Sequence, residues 1–105
     1  MGRVSIKKTV SFDFLGKEYE KSYIVFKAIP VSEYSQYIEK IASLEESSAI
    51  DFVLDILTGK FLSGSFLGED GKQFDLTAED LKDFDGESIT TMFATLTGQQ
   101  LEKKD

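Results

Sequence analysis

The side chains of this sequence that could do chemistry are mainly carboxylates, because the chain contains neither cysteine nor histidine. That composition excludes disulfides, thiolate nucleophiles, Cys/His zinc sites and any Ser-His pair. Carboxylates alone can still bind calcium or form a catalytic acid and base pair. Both kinds of site require characteristic spacings of the acidic residues.

Several carboxylates lie beside glycines, which is the composition of a calcium-binding loop. An EF-hand loop needs an acid at its first position and a glycine at its sixth. With Gly71 or Gly86 at the sixth position, the loop would begin at Phe66 or Leu81, and neither is an acid. The sequence therefore predicts no metal site of this kind.

Two further patterns, a carboxylate pair and a phosphate-binding loop, also give no support for a functional site. Asp51 and Asp55 share a face of a predicted helix, but the helix dipole favours acids near an N-terminal end without any catalytic role. Residues 59–65 (GKFLSGS) have their lysine after the first glycine, whereas a phosphate-binding loop needs it after the second. We expect a protein that is not an enzyme and binds no cofactor.

Acidic residues are concentrated in residues 66–88. The whole chain has 12 basic and 19 acidic residues, a formal net charge of -7. The acids of this segment are Glu69, Asp70, Asp75, Glu79, Asp80, Asp83, Asp85 and Glu87. The segment is either a docking face for a basic partner or a feature that keeps the protein soluble. The overall charge argues against a nucleic-acid partner.

No part of the sequence predicts contact with a membrane. Its apolar runs are far shorter than the roughly 20 residues that a membrane span needs. The N-terminal MGRVSIKKTV is basic but has no apolar segment behind it, unlike a signal peptide. We therefore expect a cytoplasmic location.

Hydrophobic residues alternate with polar ones along residues 4–14, which is the pattern of a half-buried strand. The apolar members are Val4, Ile6, Val10, Phe12 and Phe14. A two-residue turn at Gly16 and Lys17 predicts an antiparallel partner strand in which Val10 pairs with Tyr23. That partner is apolar on both faces over residues 23–26, so we expect a helix to cover its other side.

Two helices are predicted in the middle of the chain. Ser32 is a candidate N-cap for a helix over residues 33–45, which carries an apolar stripe. Ser48 is a candidate N-cap for a helix over residues 49–58. This second helix is almost wholly apolar, so we expect it to lie deep in the core.

The tripeptide LTG occurs twice, ending at Gly59 and at Gly98. Each copy follows a predicted helix, and glycine commonly closes a helix in the left-handed conformation. The residues before the two copies align poorly, which argues against an internal repeat. We therefore predict two helices that end in the same way.

A glycine-rich loop or short ribbon is predicted over residues 60–76, with a turn near residues 70–71. Thr77 and Asp80 have the spacing of a capping box for a short helix. Asp85 is the candidate cap of the last helix. Together the elements predict an α+β fold, with an N-terminal β-hairpin packed against three or four short α-helices. The predicted domain covers residues 1–98, and a flexible C-terminal tail covers residues 99–105.

The order and composition of these elements resemble those of a known protein family. A strand pair is followed by DFVLDILTGKF, by the glycine-broken GEDGKQFDLTAEDLKDFDGESI and by the amphipathic TTMFATLTG, in a small acidic chain. This layout resembles the tail assembly chaperones of long-tailed, siphovirus-type phages and prophages of Gram-positive bacteria. The likeness covers residues 4–98 and rests on no diagnostic motif.

The resemblance implies a non-catalytic role in virion assembly. Such chaperones bind the tape-measure protein, keep it soluble and assist assembly of the tail-tube protein around it. The resemblance leaves open whether the chain forms a homo-oligomer. Two alternatives also remain open: a structural tail or head-tail component retained in the virion, and an acidic nucleic-acid mimic that inhibits an enzyme through the acids of residues 66–88, with Asp80, Asp83 and Asp85 as the residues to neutralise in a test.

A chaperone for a long helical rod needs an apolar surface rimmed by polar groups. The predicted helical stripes supply candidates for that surface, although each could equally be an ordinary core residue. The candidates are Tyr34, Tyr37, Ile41, Met92, Phe93 and Leu96.

Overall fold

In the computed structural model, which describes residues 6–98, a four-stranded antiparallel sheet packs against α-helices. The strands lie in chain order across the sheet: β1 (Lys7–Ser11), β2 (Tyr23–Lys27), β3 (Phe61–Leu67) and β4 (Gln73–Asp75). The α-helices are α1 (Val31–Ala42), α2 (Glu46–Lys60) and α3 (Gly86–Thr97). Short 3-10 helices occupy Asp13–Leu15, Lys17–Tyr19 and Ala78–Asp83. The predicted α+β class is confirmed.

Strands β1 and β2 pair in a different register from the predicted one. Val10 lies opposite Ile24 rather than Tyr23, a slip of one residue. The cause is the connection, which folds as two consecutive 3-10 turns joined at Gly16 instead of a two-residue hairpin turn. A hydrogen bond of 3.2 Å from the Phe12 N–H to the Ser22 carbonyl oxygen closes this connection. Because side chains alternate across a strand, the slip decides which residues of β2 enter the core.

Helices cover only one face of the sheet. Val10, Ile24 and Phe26 lie on the covered face and are buried. The opposite face includes Thr9 and Tyr23, which are exposed. The predicted helical cover on the second side of β2 is therefore wrong. An antiparallel sheet tolerates this arrangement because one of its faces can meet water.

Of the loop or short ribbon predicted over residues 60–76, the structure has the ribbon, a hairpin of β3 and β4. Strand β3 is an interior strand, paired with both β2 and β4. Gly64 permits this close pairing, since a Cβ there would come within 3.0 Å of the Tyr23 carbonyl oxygen and of Ile24. The predicted turn is confirmed, with Gly71 at a φ of 83°.

Helices α1 and α2 have different limits from those predicted. Helix α1 begins after Pro30, whose carbonyl oxygen accepts the Tyr34 N–H at 2.9 Å, so Ser32 lies inside the helix and is not its cap. Helix α2 begins at Glu46, before the predicted Ser48 cap, and no side chain caps its N-terminus. The predicted N-caps at Ser32 and Ser48 are therefore both wrong.

The two LTG tripeptides differ in conformation. Gly98 closes α3 in the left-handed region, with a φ of 78°, as predicted. Gly59 lies inside α2, which continues to Lys60 and passes directly into β3, so the prediction for Gly59 is wrong. The helix ends because Phe61 pairs with Phe26 of β2, with ring centroids 6.3 Å apart.

The segment between β4 and α3 follows its predicted capping pattern. Asp80 Oδ2 accepts the Thr77 N–H at 2.7 Å, which starts the 3-10 helix. Asp85 caps α3 by accepting the Ser88 hydroxyl at 2.7 Å and the Ser88 N–H at 3.4 Å. Leu81 is fully buried between these caps.

One hydrophobic core joins the covered face of the sheet to α2 and α3. Its members are Val10, Phe12, Ile24, Phe26, Val53, Ile56, Leu57, Leu76, Leu81, Ile89, Met92, Phe93 and Leu96. Helix α2 is buried along one stripe only, whereas it was expected to lie deep in the core. Helix α1 has no buried residue and packs over the rim of the core. Val4 and the predicted tail over residues 99–105 lie outside the described residues.

Candidate functional site

The six predicted contact residues do not form one surface. Met92, Phe93 and Leu96 of α3 are buried in the core and present no surface to a partner in this structure. Tyr34, Tyr37 and Ile41 lie on α1 and are half-buried. A partner can therefore reach only the α1 members of the predicted set.

The α1 residues form a packing contact, and the polar groups in it already have hydrogen-bond partners. Glu33 Oε1 accepts both the Tyr37 hydroxyl at 2.9 Å and the Lys60 ammonium at 2.8 Å. The Lys60 hydrogen bond, followed by that of Tyr37, lowers the pKa of the Glu33 carboxyl. Burial, followed by the bond to Glu33, raises the pKa of the Tyr37 hydroxyl. The Tyr37 ring also meets Phe52 of α2 edge to face, at 5.9 Å between centroids.

A separate groove lies between the β3–β4 hairpin, the 3-10 helix Ala78–Asp83 and the N-terminus of α3. Its volume is about 410 Å³, within the range of about 300–1,000 Å³ that is usual for ligand sites. Its apolar lining consists of Leu15, Phe66, Leu67, Phe74, Leu76 and Phe84. Leu15 and Phe74 are large hydrophobic residues exposed to solvent. The groove is thus an open apolar surface on the described part of the chain.

Phe66 holds the floor of this groove in place through contacts with surrounding rings. Its centroid lies 5.1 Å from that of Phe84 and 5.3 Å from those of Phe12 and Tyr19. Phe74 meets it edge to face at 6.5 Å. Ring pairs at such distances add attraction beyond the burial of their area. The floor is therefore anchored to the core at its centre and open to solvent at Phe74.

Four carboxylates line the same groove, and no basic side chain of the described residues does. They are Glu69, Asp80, Asp83 and Asp85. Asp80 and Asp85 are held by the helix-capping hydrogen bonds described above. The Ser88 hydroxyl bond is the main cause that lowers the pKa of the Asp85 carboxyl. The side chains of Glu69 and Asp83 make no hydrogen bond or ion pair within residues 6–98.

The sequence left open whether the acids of residues 66–88 form a docking face or only keep the protein soluble, and it did not predict the groove among them. Phe66 belongs to β3, Phe74 to β4, and Phe84 follows the 3-10 helix, so only the folded hairpin brings the rings together. Aromatic residues spread through an acidic segment were the one available signal. It did not locate the groove, because the sequence did not predict the pairing of β3 with both β2 and β4.

Two other kinds of site were also sought in the described part of the chain. No group of three or more acidic residues there lies close enough to hold a metal ion. None of the helices over residues 6–98 is both long and apolar enough to cross a membrane.

Comparison with known proteins assigns no family. No family model, no curated protein and no solved structure matches this chain.

Proposed function

We propose that the protein is a non-catalytic tail assembly chaperone of a long-tailed phage or prophage of Gram-positive bacteria. In this role it acts in the host cytoplasm, binds the tape-measure protein and keeps it soluble while the tail-tube protein assembles. The observation that carries the proposal is the open groove, in which exposed apolar side chains lie next to carboxylates. An apolar surface of this kind fits the apolar stripe of a partner helix.

The net charge of -7 supports the same role. A chaperone must stay dispersed while it holds an aggregation-prone chain, and net charge far from zero opposes association. The chaperone binds through the groove, and the remaining acidic surface keeps the complex in solution.

The nucleic-acid mimic is less well supported by the arrangement of the acids. Mimicry of phosphates through Asp80, Asp83 and Asp85 requires all three carboxylates to face the enzyme. Asp80 and Asp85 are already occupied as helix caps. An apolar floor also lies among these acids, and a DNA-binding surface has no use for it.

Co-expression with the tape-measure protein encoded nearest to this chain tests the proposal. We expect the tape-measure protein to become soluble and to co-purify with the chain. An unrelated acidic domain of similar size serves as the control, because charge alone improves solubility. A tape-measure protein that stays insoluble with and without the chain contradicts the proposal.

Mass spectrometry of purified virions separates the chaperone from a structural component. A chaperone leaves before the tail is complete, so we expect the chain to be missing from finished particles. Its presence at stoichiometric copy number assigns it to the virion instead.

A further inference from the structure

The groove presents its apolar groups in a way that suits a single large side chain. Phe66 and Phe84 form its deeper part, and the exposed Phe74 and Leu15 stand at its opening. The aromatic contacts of Phe66 keep this shape without a ligand, so little ordering is needed on binding. A leucine, methionine or aromatic side chain of a partner would exchange water for the phenyl rings on the side that faces the groove.

The charge of the rim restricts what may flank that side chain. Among residues 6–98, four carboxylates and no basic group line the groove. An acidic segment would be repelled, and a neutral one would remove water from Glu69 and Asp83 without replacing its hydrogen bonds. Lysine or arginine residues would pair with these two free carboxylates and also attract the faces of the phenyl rings.

We propose that the groove binds a partner segment that carries one large apolar side chain flanked by lysine or arginine residues. The apolar side chain packs on Phe66 and Phe74, and the cations lie beside Glu69 and Asp83. This inference rests on the proposed function. It specifies the chemistry of the partner segment that the groove binds.

Selection from a library of random displayed peptides tests the proposal without a known partner. Peptides of about 12 residues suffice, since a helix of that length spans about 18 Å. The library is selected on the full chain and on the variant Phe74→Ser. The matched control is Leu62→Ser, because Leu62 is 42 % exposed and Phe74 44 %, and Leu62 does not line the groove.

We expect selected peptides to combine lysine or arginine with leucine or an aromatic residue. Their affinity should fall about tenfold for Phe74→Ser and remain unchanged for Leu62→Ser. The double variant Glu69→Gln, Asp83→Asn should bind about fivefold more weakly at low salt, a difference that shrinks as salt is added. The double variant Glu39→Gln, Asp55→Asn, whose residues are exposed outside the groove, should bind like the unaltered chain.

Three outcomes overturn the proposal. The first is a selected set that is neutral or acidic, or no enrichment at all. The second is an affinity that Phe74→Ser and Leu62→Ser change equally. The third is self-association, measured by sedimentation over a range of concentrations, that Phe74→Ser abolishes and Leu62→Ser does not. This last result would assign the groove to a second copy, whose exposed lysines, Lys7 and Lys27 among them, would supply the basic groups.

The inference and the proposed function can fail separately. Groove-dependent binding of basic apolar peptides, together with a tape-measure protein that stays insoluble, rejects the chaperone role and retains the groove. If the unaltered chain and Phe74→Ser keep the tape-measure protein equally soluble, the chaperone role is retained and the groove is rejected as the binding site.

Discussion

Gly59 and Gly98, the glycines that end the two LTG tripeptides, have different backbone conformations. Gly59 is helical inside α2, and a Cβ added there would meet no atom within 4 Å. Gly98 has a φ of 78° and closes α3 through its N–H. Glycine is a poor helix former but suits the left-handed region, which other L-residues enter at a cost. The same residue therefore weakens one helix and stabilises the end of the other.

Alanine substitutions at these two glycines should have opposite effects on stability. Gly59→Ala should raise the free energy of unfolding by about 0.5–1 kcal/mol, because alanine is the better helix former. Gly98→Ala should lower it by about 1 kcal/mol, because alanine is strained in the left-handed region. Urea denaturation of the two variants measures both changes. Two changes of the same sign would contradict the assigned conformations.

Asp85 joins the groove to the start of α3 through its capping hydrogen bonds. Removing an N-cap costs about 1 kcal/mol, so Asp85→Ala should lower stability by that amount at neutral pH. The Ser88 hydroxyl holds the pKa of Asp85 below its usual 3.8. A lowered folded pKa means that the charge-dependent part of the stabilisation is complete above the unfolded pKa. That part is lost as the pH falls through the folded value.

The difference in stability between the unaltered chain and Asp85→Ala should therefore shrink as the pH drops below about 3.8. Asp85→Asn is the matched control, because its one amide oxygen can still accept the Ser88 N–H, the capping bond, without titrating. It should keep most of the capping at every pH. Thermal unfolding over a pH series measures all three proteins, and a pH-independent effect of Asp85→Ala would exclude a charged cap.

Among the three α-helices, α1 has the weakest attachment to the rest of the described chain. It has no buried residue, whereas α3 contributes Ile89, Met92, Phe93 and Leu96 to the core. Its link to α2 includes the Glu33–Lys60 ion pair at 2.8 Å, in which the Glu33 side chain is 41 % exposed. Exposed pairs of this kind contribute about 1 kcal/mol or less. Packing of the half-buried apolar stripe therefore holds most of α1 in place.

Amide hydrogen exchange should distinguish the two helices. We expect α1 amides to exchange through local opening, and α3 amides only when the whole domain unfolds. Tyr37→Ala removes the contact with Phe52, so it should accelerate exchange in α1 and leave α3 unchanged under native conditions. Mass spectrometry of exchanged peptides measures both segments. Equal protection of α1 and α3 would show that α1 belongs to the same cooperative unit as the core.

At the scale of the whole molecule, a single core connects the sheet to the helices. Phe12 comes from the β1–β2 connection, Leu57 from α2 and Met92 from α3, and all three are fully buried together. No part of the sheet therefore has an apolar core separate from that of the helices. This arrangement places the groove at the edge of the common core, where Phe66 and Phe84 extend the aromatic contacts of Phe12.

A shared core predicts that the sheet and the helices unfold in one step. Far-UV circular dichroism reports the helices, and near-UV circular dichroism reports the aromatic cluster around Phe66. The two signals should give coincident transitions in urea. An aromatic signal lost at a lower urea concentration would mean that the groove region unfolds separately, against the predicted single domain over residues 1–98.

The sequence by itself determined the features that depend on neighbouring residues. The Thr77–Asp80 pair, the Asp85 cap, the turn at Gly71 and the left-handed Gly98 all occur as predicted. In each of them, groups a few residues apart satisfy the backbone or set its conformation. The α+β class also followed, because the periodicity of hydrophobic residues differs between strands and helices.

Only the tertiary structure decided the features that depend on distant pairing. Gly64 looked like a loop residue, yet β3 forms because β2 and β4 bind it on both sides. Gly59 resembled a helix stop, yet α2 ends where Phe61 meets Phe26. Helical spacing could not separate a core stripe from a binding face, since both are apolar, and contact between α3 and the sheet buried Met92. The groove arises in the same way, because its rings and carboxylates lie on separate elements that meet only when the hairpin packs against the start of α3.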